Sequence, residues 1–179
     1  MKSEPSYRYL LAPRDLAALY EIADIEWAAI AWADVDRCAG LSLRCSAVQI
    51  TAGKTVVTIA VRSRELEPRV EAFRLTAALP GEWTAPEWYE PPPFIDSDEI
   101  MSAFIGTSHR MFVGGRRYTF DSAEGMQAFL VEDVLLLRHS SGQQAFICAD
   151  DQLPGSLFVT RDRHSLPSAA IDFAYLRAL

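Results

Sequence analysis

Arg110-Met-Phe-Val-Gly-Gly-Arg-Arg-Tyr-Thr-Phe120 is the clearest local signal in this chain. Two β-patterned runs flank Gly114-Gly115, and a glycine pair there reads as a two-residue hairpin turn. In that register Val113 opposes Arg116, Met111 opposes Tyr118 and His109 opposes Phe120. Arg110 and Arg117 then project from the other face, on either side of Phe112. They cluster positive charge, and arginine forks grip carboxylates and other anions bidentately. Arg110 and Arg117 are therefore the candidate anion-binding residues. Pairing with acids of the same chain is the plainer role for them, and solvated pairs of that kind contribute little. After the hairpin, Asp121 or Ser122 with Glu124 reads as a helix start, apolar at Met126, Phe129 and Leu130.

Working outward toward the C-terminus, Val134 to Arg138 reads as a buried strand. Ser140-Ser141-Gly142 turns the chain, and Gln143 to Ala149 returns. Asp150 to Gly155 is a loop, and Ser156 to Arg161 is the third strand of a meander. Ser165 with Pro167 starts a closing helix, apolar at Ala170, Ile171, Phe173, Ala174 and Leu176. On the other side of the hairpin, Asp96 or Ser97 caps a short helix through Phe104, with Asp98 and Glu99 suiting its first turn.

The first half opens with a short strand, Tyr7 to Leu11. Pro13 then suits the first turn of a helix. Leu16, Leu19, Tyr20, Ala23, Trp27 and Ile30 recur at three- and four-residue spacing, so the helix is expected to run on to Ala33. A strand over Ile25–Trp32 is the alternative, and the alanine content favours the helix. Leu41, Leu43 and Cys45 alternate before the phase slips to Val48 and Ile50, which predicts a β-bulge near Ser46–Ala47. Ala52-Gly53-Lys54 is a hairpin turn. Thr55 to Val61 and Val70 to Leu79 complete a first meander. The order strand, helix, meander recurs faintly in the second half, a weak sign of internal duplication.

These elements predict an α+β fold. Antiparallel sheets are built from two three-stranded meanders plus a hairpin, and helices cover the sheet faces. The 179 residues suit a single domain, with sub-layers 1–80 and 96–179 joined by a strap over residues 81–95.

The strap is acidic, aromatic and rich in proline. Pro80, Pro86 and Pro91 to Pro93 exclude a helix or central strand from it. Between Arg74 and Arg110 there is no Lys or Arg. Trp83, Glu87, Trp88, Tyr89, Glu90 and Phe94 are the candidate protein-binding residues, because Trp and Tyr dominate interface hot spots and the acids favour a basic partner. Packing of the same aromatics onto the chain's own core is the competing role.

The net charge of -7 and pI near 4.9 argue against nucleic acid and anionic membranes as partners. Cys38, Cys45 and Cys148 show no CxxC spacing and fit reduced thiols of a cytoplasmic protein. Arg greatly outnumbers Lys, and alanine is abundant, as in GC-rich bacterial genomes. No signal peptide is evident. Phosphate-loop, nucleophile-elbow and HExxH motifs are lacking, so no cofactor and no catalytic residue is assigned. Asp150, Asp151, Asp162 and His164 could meet as ligands of a divalent ion. The leading expectation is a non-enzymatic protein-binding protein of the bacterial cytoplasm, such as an immunity protein, inhibitor or chaperone-like accessory factor. The alternative is a small-molecule or metal-binding domain, or a small enzyme, with a pocket near Arg110/Arg117 or Asp150/Asp151.

Overall fold

The computed structural model describes residue 5 and residues 7–67, 70–82, 93–96, 99–166 and 171–179. In chain order the elements are β1 (Tyr7–Tyr9), α1 (Pro13–Ala23), β2 (Trp27–Ala33), β3 (Asp36–Arg37), β4 (Ser42–Cys45), β5 (Ala47–Ala52), β6 (Thr55–Glu67), β7 (Val70–Ala78), β8 (Ile95–Asp96), β9 (His109–Ser122), β10 (Gly125–His139), β11 (Gln144–Ala149), β12 (Leu157–Thr160) and β13 (Ile171–Ala178). Strand accounts for 59% and helix for 11%, with one α-helix among the described residues, so the fold is mainly β. The expected α+β class, with helices over the sheet faces, is corrected by this count.

The larger sheet has eight strands in the order β13-β9-β10-β11-β12-β4-β3, with β1 parallel to the first half of β10. The smaller sheet has five, in the order β7-β6-β5-β2-β8. Both expected meanders are present, as β5-β6-β7 and β10-β11-β12. The larger sheet also takes β1, β3 and β4 from the first half of the chain. One apolar cluster joins the sheets through Trp27, Trp32, Ile50, Ile59, Leu75, Met111, Leu135 and Ile147, with Leu19 and Ile22 of α1. Alternate residues Val134, Leu136, Phe146, Cys148 and Phe158 form a second cluster, so β10, β11 and β12 are buried on both faces.

Six local expectations give way. The Gly114-Gly115 turn does not form. Both glycines lie inside β9, and the hairpin turns at Ala123-Glu124 instead, with Ser122 opposite Gly125. There Ser122 Oγ accepts from Glu124 N at 3.1 Å and donates to Gly125 O at 2.9 Å. Asp or Ser followed by Glu is a helix-start pattern, but the same side chains also close tight turns. Met126 to Leu130 consequently continue β10 rather than forming a helix. Gly114 serves close packing: a Cβ at that position would sit 3.2 Å from Leu176 Cδ2.

Trp27–Ala33 is a strand because α1 stops at Ala23. Ile30 and Trp32 then alternate into the core. Alanine's helix preference is worth only about 0.5 kcal/mol per residue, less than burying a tryptophan between two sheets. Ser46 marks a change of sheet instead of a bulge, since β4 belongs to the larger sheet and β5 to the smaller one. Ile171–Ala178 pairs with β9, so the expected closing helix is also a strand. The expected helix ending at Phe104 is reduced to a single 3-10 turn over Ser102–Phe104.

The helix is held to the smaller sheet by one buried acid. Asp15 Oδ2 accepts from Ala12 N at 2.9 Å and from Arg74 Nη1, while Oδ1 accepts from Thr76 Oγ1 at 2.8 Å and Ala77 N at 3.3 Å. Burial raises the Asp15 pKa, and these donors outweigh it, leaving the group below its ordinary value. Its contribution is therefore present above the ordinary carboxylate range and is lost as pH falls through the folded pKa. Asp15→Ala is expected to lower the unfolding free energy at neutral pH by about 3–5 kcal/mol, because Arg74 is left buried and unpaired. Thr76→Val should cost about 1 kcal/mol. Urea denaturation of the two variants against the parent chain measures both.

Candidate functional site

Glu132 and Asp133 interrupt an otherwise apolar run from Ala128 to Leu137 on β10. Both side chains are completely buried. The ladder with β9 shifts here. Glu132 faces Gly115 and Val134 faces Gly114, which leaves Asp133 as the extra residue of a β-bulge. The two acids then serve different parts of the fold. Glu132 accepts from Leu11 N at 2.7 Å and from Arg177 Nη2 at 2.7 Å, tying the exit of β1 and the end of β13 to the bulge.

Asp133 serves β9 and the loop after β11. Its Oδ2 accepts from Arg116 Nε at 2.7 Å and lies 2.9 Å from the Tyr118 hydroxyl. Arg116 Nη1 donates to Asp151 Oδ2 at 2.9 Å, and Nη2 donates to the Ala149 carbonyl at 2.6 Å. The Tyr118 hydroxyl is also 3.0 Å from Asp151 Oδ1. Arg116 and Tyr118 thus grip both oxygens of the Asp151 carboxylate. That carboxylate is 28% exposed, whereas Arg116 is 1% exposed. Tyr118 stacks on Phe129 at 5.1 Å, which fixes its ring. Beside this set, Arg44 bonds the buried Asp150 and donates to Gln152 Oε1 at 2.7 Å, so the 150–155 loop is held by two ion pairs.

Burial pushes the Asp133 carboxyl up to about 6, against the opposing pull of Arg116. Burial, then the Asp133 charge, drives the Tyr118 phenol well above its ordinary value. Desolvation works against the Arg116 charge, but Asp133 and the other neighbours more than offset it. The adjacent Cys148 thiol is pushed up to about 12 by burial and donates to Phe158 O at 3.4 Å, so it is not a nucleophile. The arrangement can hold a proton, tether a loop and bind a carboxylate. Among these residues nothing is activated to attack a substrate.

Of the expected site residues, Asp151 belongs to this cluster and Asp150 borders it. Arg110 and Arg117 stand seven residues apart on β9, about 23 Å along an extended strand and on opposite faces. They do not converge on one anion. Arg110 is opposite Arg138, while Arg117 Nε is buried without a hydrogen-bond partner. Trp83, Glu87, Trp88, Tyr89 and Glu90 lie outside the described residues. Phe94 is half-buried on Ala33, Ala47 and Ala60. Asp162 accepts from His164 N at 2.9 Å and Ser165 Oγ at 2.8 Å, away from the bonds made by Asp150 and Asp151. Among the described residues no group of three or more His, Cys, Asp or Glu is placed to hold a metal.

Arg116, Tyr118, Glu132 and Asp133 were not singled out from the sequence as site residues. Their signal is an acid pair between Val131 and Val134 in a run with no adjacent cation. Such acids inside a buried strand require partners from elsewhere in the chain. No helix among the described residues is long and apolar enough to cross a membrane. No protein-family model, curated protein or solved structure matches the chain.

Removing one member of a buried ion pair strands the other. Arg116→Met is expected to cost about 3–5 kcal/mol, and Arg116→Met combined with Asp133→Leu should recover most of that loss. Chemical denaturation of the single and double variants completes the cycle, and a double variant as unstable as the single one would contradict it.

Proposed function

We propose that this chain is a non-enzymatic protein-binding protein, acting as an inhibitor, immunity protein or chaperone-like accessory factor in a bacterial cytoplasm. It meets a basic partner through the acidic, aromatic segment between β7 and β8. The localisation of charge is the observation that carries this reading. Residues 75–109 contain Glu82, Glu87, Glu90, Asp96, Asp98 and Glu99 and no Lys or Arg, against a net charge of -7 for the whole chain. The remainder of the chain is therefore close to neutral, and almost all of the net charge lies in residues 75–109, three of its six acids between β7 and β8 and three in or just after β8. The field of these acids steers a cationic partner and raises its association rate.

The mounting of the segment supports the same reading. The chain leaves one edge of the smaller sheet at Ala78 and rejoins the opposite edge at Ile95, four strand spacings or about 19 Å away. The flanks are at the surface: Gly81, Glu82, Pro93, Ile95 and Asp96 are exposed, with Ile95 at 50%. Glu99 is paired with Arg37 at 3.3 Å, in a contact too exposed to neutralise the field.

A second reading rests on the grip on Asp151. Arg116 and Tyr118 already hold a carboxylate borne on a surface loop. A small carboxylate ligand displacing Asp151 would use the same donors.

The test is affinity capture from the native host, using the parent chain and the variants Trp88→Ala and Tyr89→Ala. A basic partner recovered near one-to-one, weakened about tenfold or more by either variant and by raised salt, is the expected result. The variants should keep the thermal midpoint of the parent chain. Equal capture by all three proteins removes the segment from the binding site. Chemical-shift changes at Arg116 and Tyr118 on adding simple carboxylates would favour the second reading.

A further inference from the structure

The Tyr118 hydroxyl has one hydrogen and two carboxylate neighbours, Asp133 Oδ2 at 2.9 Å and Asp151 Oδ1 at 3.0 Å. With both acids ionised, that hydrogen serves one of them, and the other contact brings two oxygen lone pairs together. Arg116 cannot relieve this, because its Nε, Nη1 and Nη2 are already directed at Asp133, Asp151 and the Ala149 carbonyl. Two carboxylates and one guanidinium also leave the set one negative charge in excess. A single added proton resolves both problems. Asp133 as the acid donates to the Tyr118 oxygen, Tyr118 donates to Asp151, and the set becomes neutral.

We propose that Asp133, Tyr118 and Asp151 hold one shared proton, and that its loss releases the 150–155 loop from Arg116. The proton leaves to solvent through Asp151, whose side chain is 28% exposed. Gln152, Leu153, Pro154 and Gly155 are exposed, so residues 151–155 can move without uncovering the core while Arg44 keeps Asp150 in place. Once both acids are charged, swinging Asp151 outward removes their mutual repulsion, while Asp133 keeps Arg116 Nε.

Other charges around Asp133 do not replace the proton. Glu132, its neighbour on β10, is engaged by Leu11 N and by Arg177 of β13. Asp150, at the start of the loop, is engaged by Arg44 of β4. Cys148 on β11 is neutral. The direction set by burial agrees, since the Asp133 carboxyl is pushed up to about 6. The sign follows: a raised folded pKa means that the folded chain holds the proton better than the unfolded chain. The stabilisation is complete below the ordinary value of 3.8 and is lost as pH rises through about 6. The titration belongs to the coupled set rather than to one residue.

Carbon-detected NMR of aspartate side-chain carboxyls, with pH as the variable, tests the proton. Asp133 is expected to titrate near 6 in the parent chain and lower in Asp151→Asn, which removes the second negative charge. Hydrogen exchange of amides 151–155, corrected for intrinsic rates, tests the loop. Protection should fall at least several-fold between pH 5 and pH 8 in the parent chain and stay level in Asp133→Asn. Asp151→Asn keeps the readout available if Asp133→Asn fails to fold, since it should show the same pH-independent exchange. Titration of Asp133 together with ordinary surface carboxylates overturns the proposal. So does loop protection that is unchanged between the two pH values.

Discussion

A β-bulge that buries two adjacent carboxylates is the constraint on which the rest of this fold depends. An unpaired ion in a protein interior costs several kcal/mol even after relaxation. Glu132 and Asp133 can therefore lie within β10 only if cations and amide donors reach them from elsewhere. Glu132 draws in Leu11 N and Arg177, fixing β1 before α1 begins and β13 where the chain ends. Asp133 draws in Arg116 and, through it, the loop after β11. The extra residue of the bulge lets consecutive acids serve these separate sets of partners. Gly115 and Gly114 stand opposite, and a side chain at Gly114 would crowd the incoming Leu176.

The elements legible in the sequence are those whose local signals admit one structure. Gly53 at φ 59° turns between β-branched runs, and β5 and β6 pair in the expected order. The β10-β11-β12 meander follows from apolar runs too short for helices and separated by Ser140-Ser141-Gly142. The misread elements had signals with two solutions. Asp-Ser-Ala-Glu-Gly starts a helix or closes a hairpin, and only the partner strand decides which. Trp27–Ala33 combines helical spacing with strand alternation around Ile30 and Trp32, and burial between sheets decides that case. Gly114-Gly115 resembles a turn because Leu176, whose close approach favours a small residue at Gly114, lies 62 positions away.

The same distinction governs the site. Asp151 was legible as a candidate ligand because acids in a Gly- and Pro-bearing loop stand out. Its actual partners, Arg116 and Tyr118, lie 35 and 33 positions earlier in the chain. They meet Asp151 because β9 pairs with β10, β10 with β11, and the loop leaves the end of β11. Arg110 and Arg117 drew attention as an arginine cluster only under a turn at Gly114-Gly115. Once β9 runs straight through the glycines, those cations separate along the strand. Arg116, which flanks the glycine pair, is the buried one.

The buried ionisable groups do not favour one pH, and their opposition limits what bulk stability can reveal. Burial lowers the His109 pKa, with the His139 charge acting in the same direction against a hydrogen bond to Thr107 O. The folded chain therefore resists protonating His109, and its stabilising effect is lost as pH falls from the ordinary value of 6.5 through the folded one. Asp133 acts in the reverse sense, losing its effect as pH rises through about 6. Over the interval where both titrate, the two slopes partly cancel in a denaturation curve. A nearly flat curve is then compatible with two groups linked to folding in opposite senses, and site-specific carboxyl and imidazole signals separate them. The spatial arrangement makes that separation practical. His109 is T-shaped against Trp27 at 4.3 Å at one end of β9, whereas the Asp133 bulge lies near its middle, so a substitution at either place leaves the other's contacts intact.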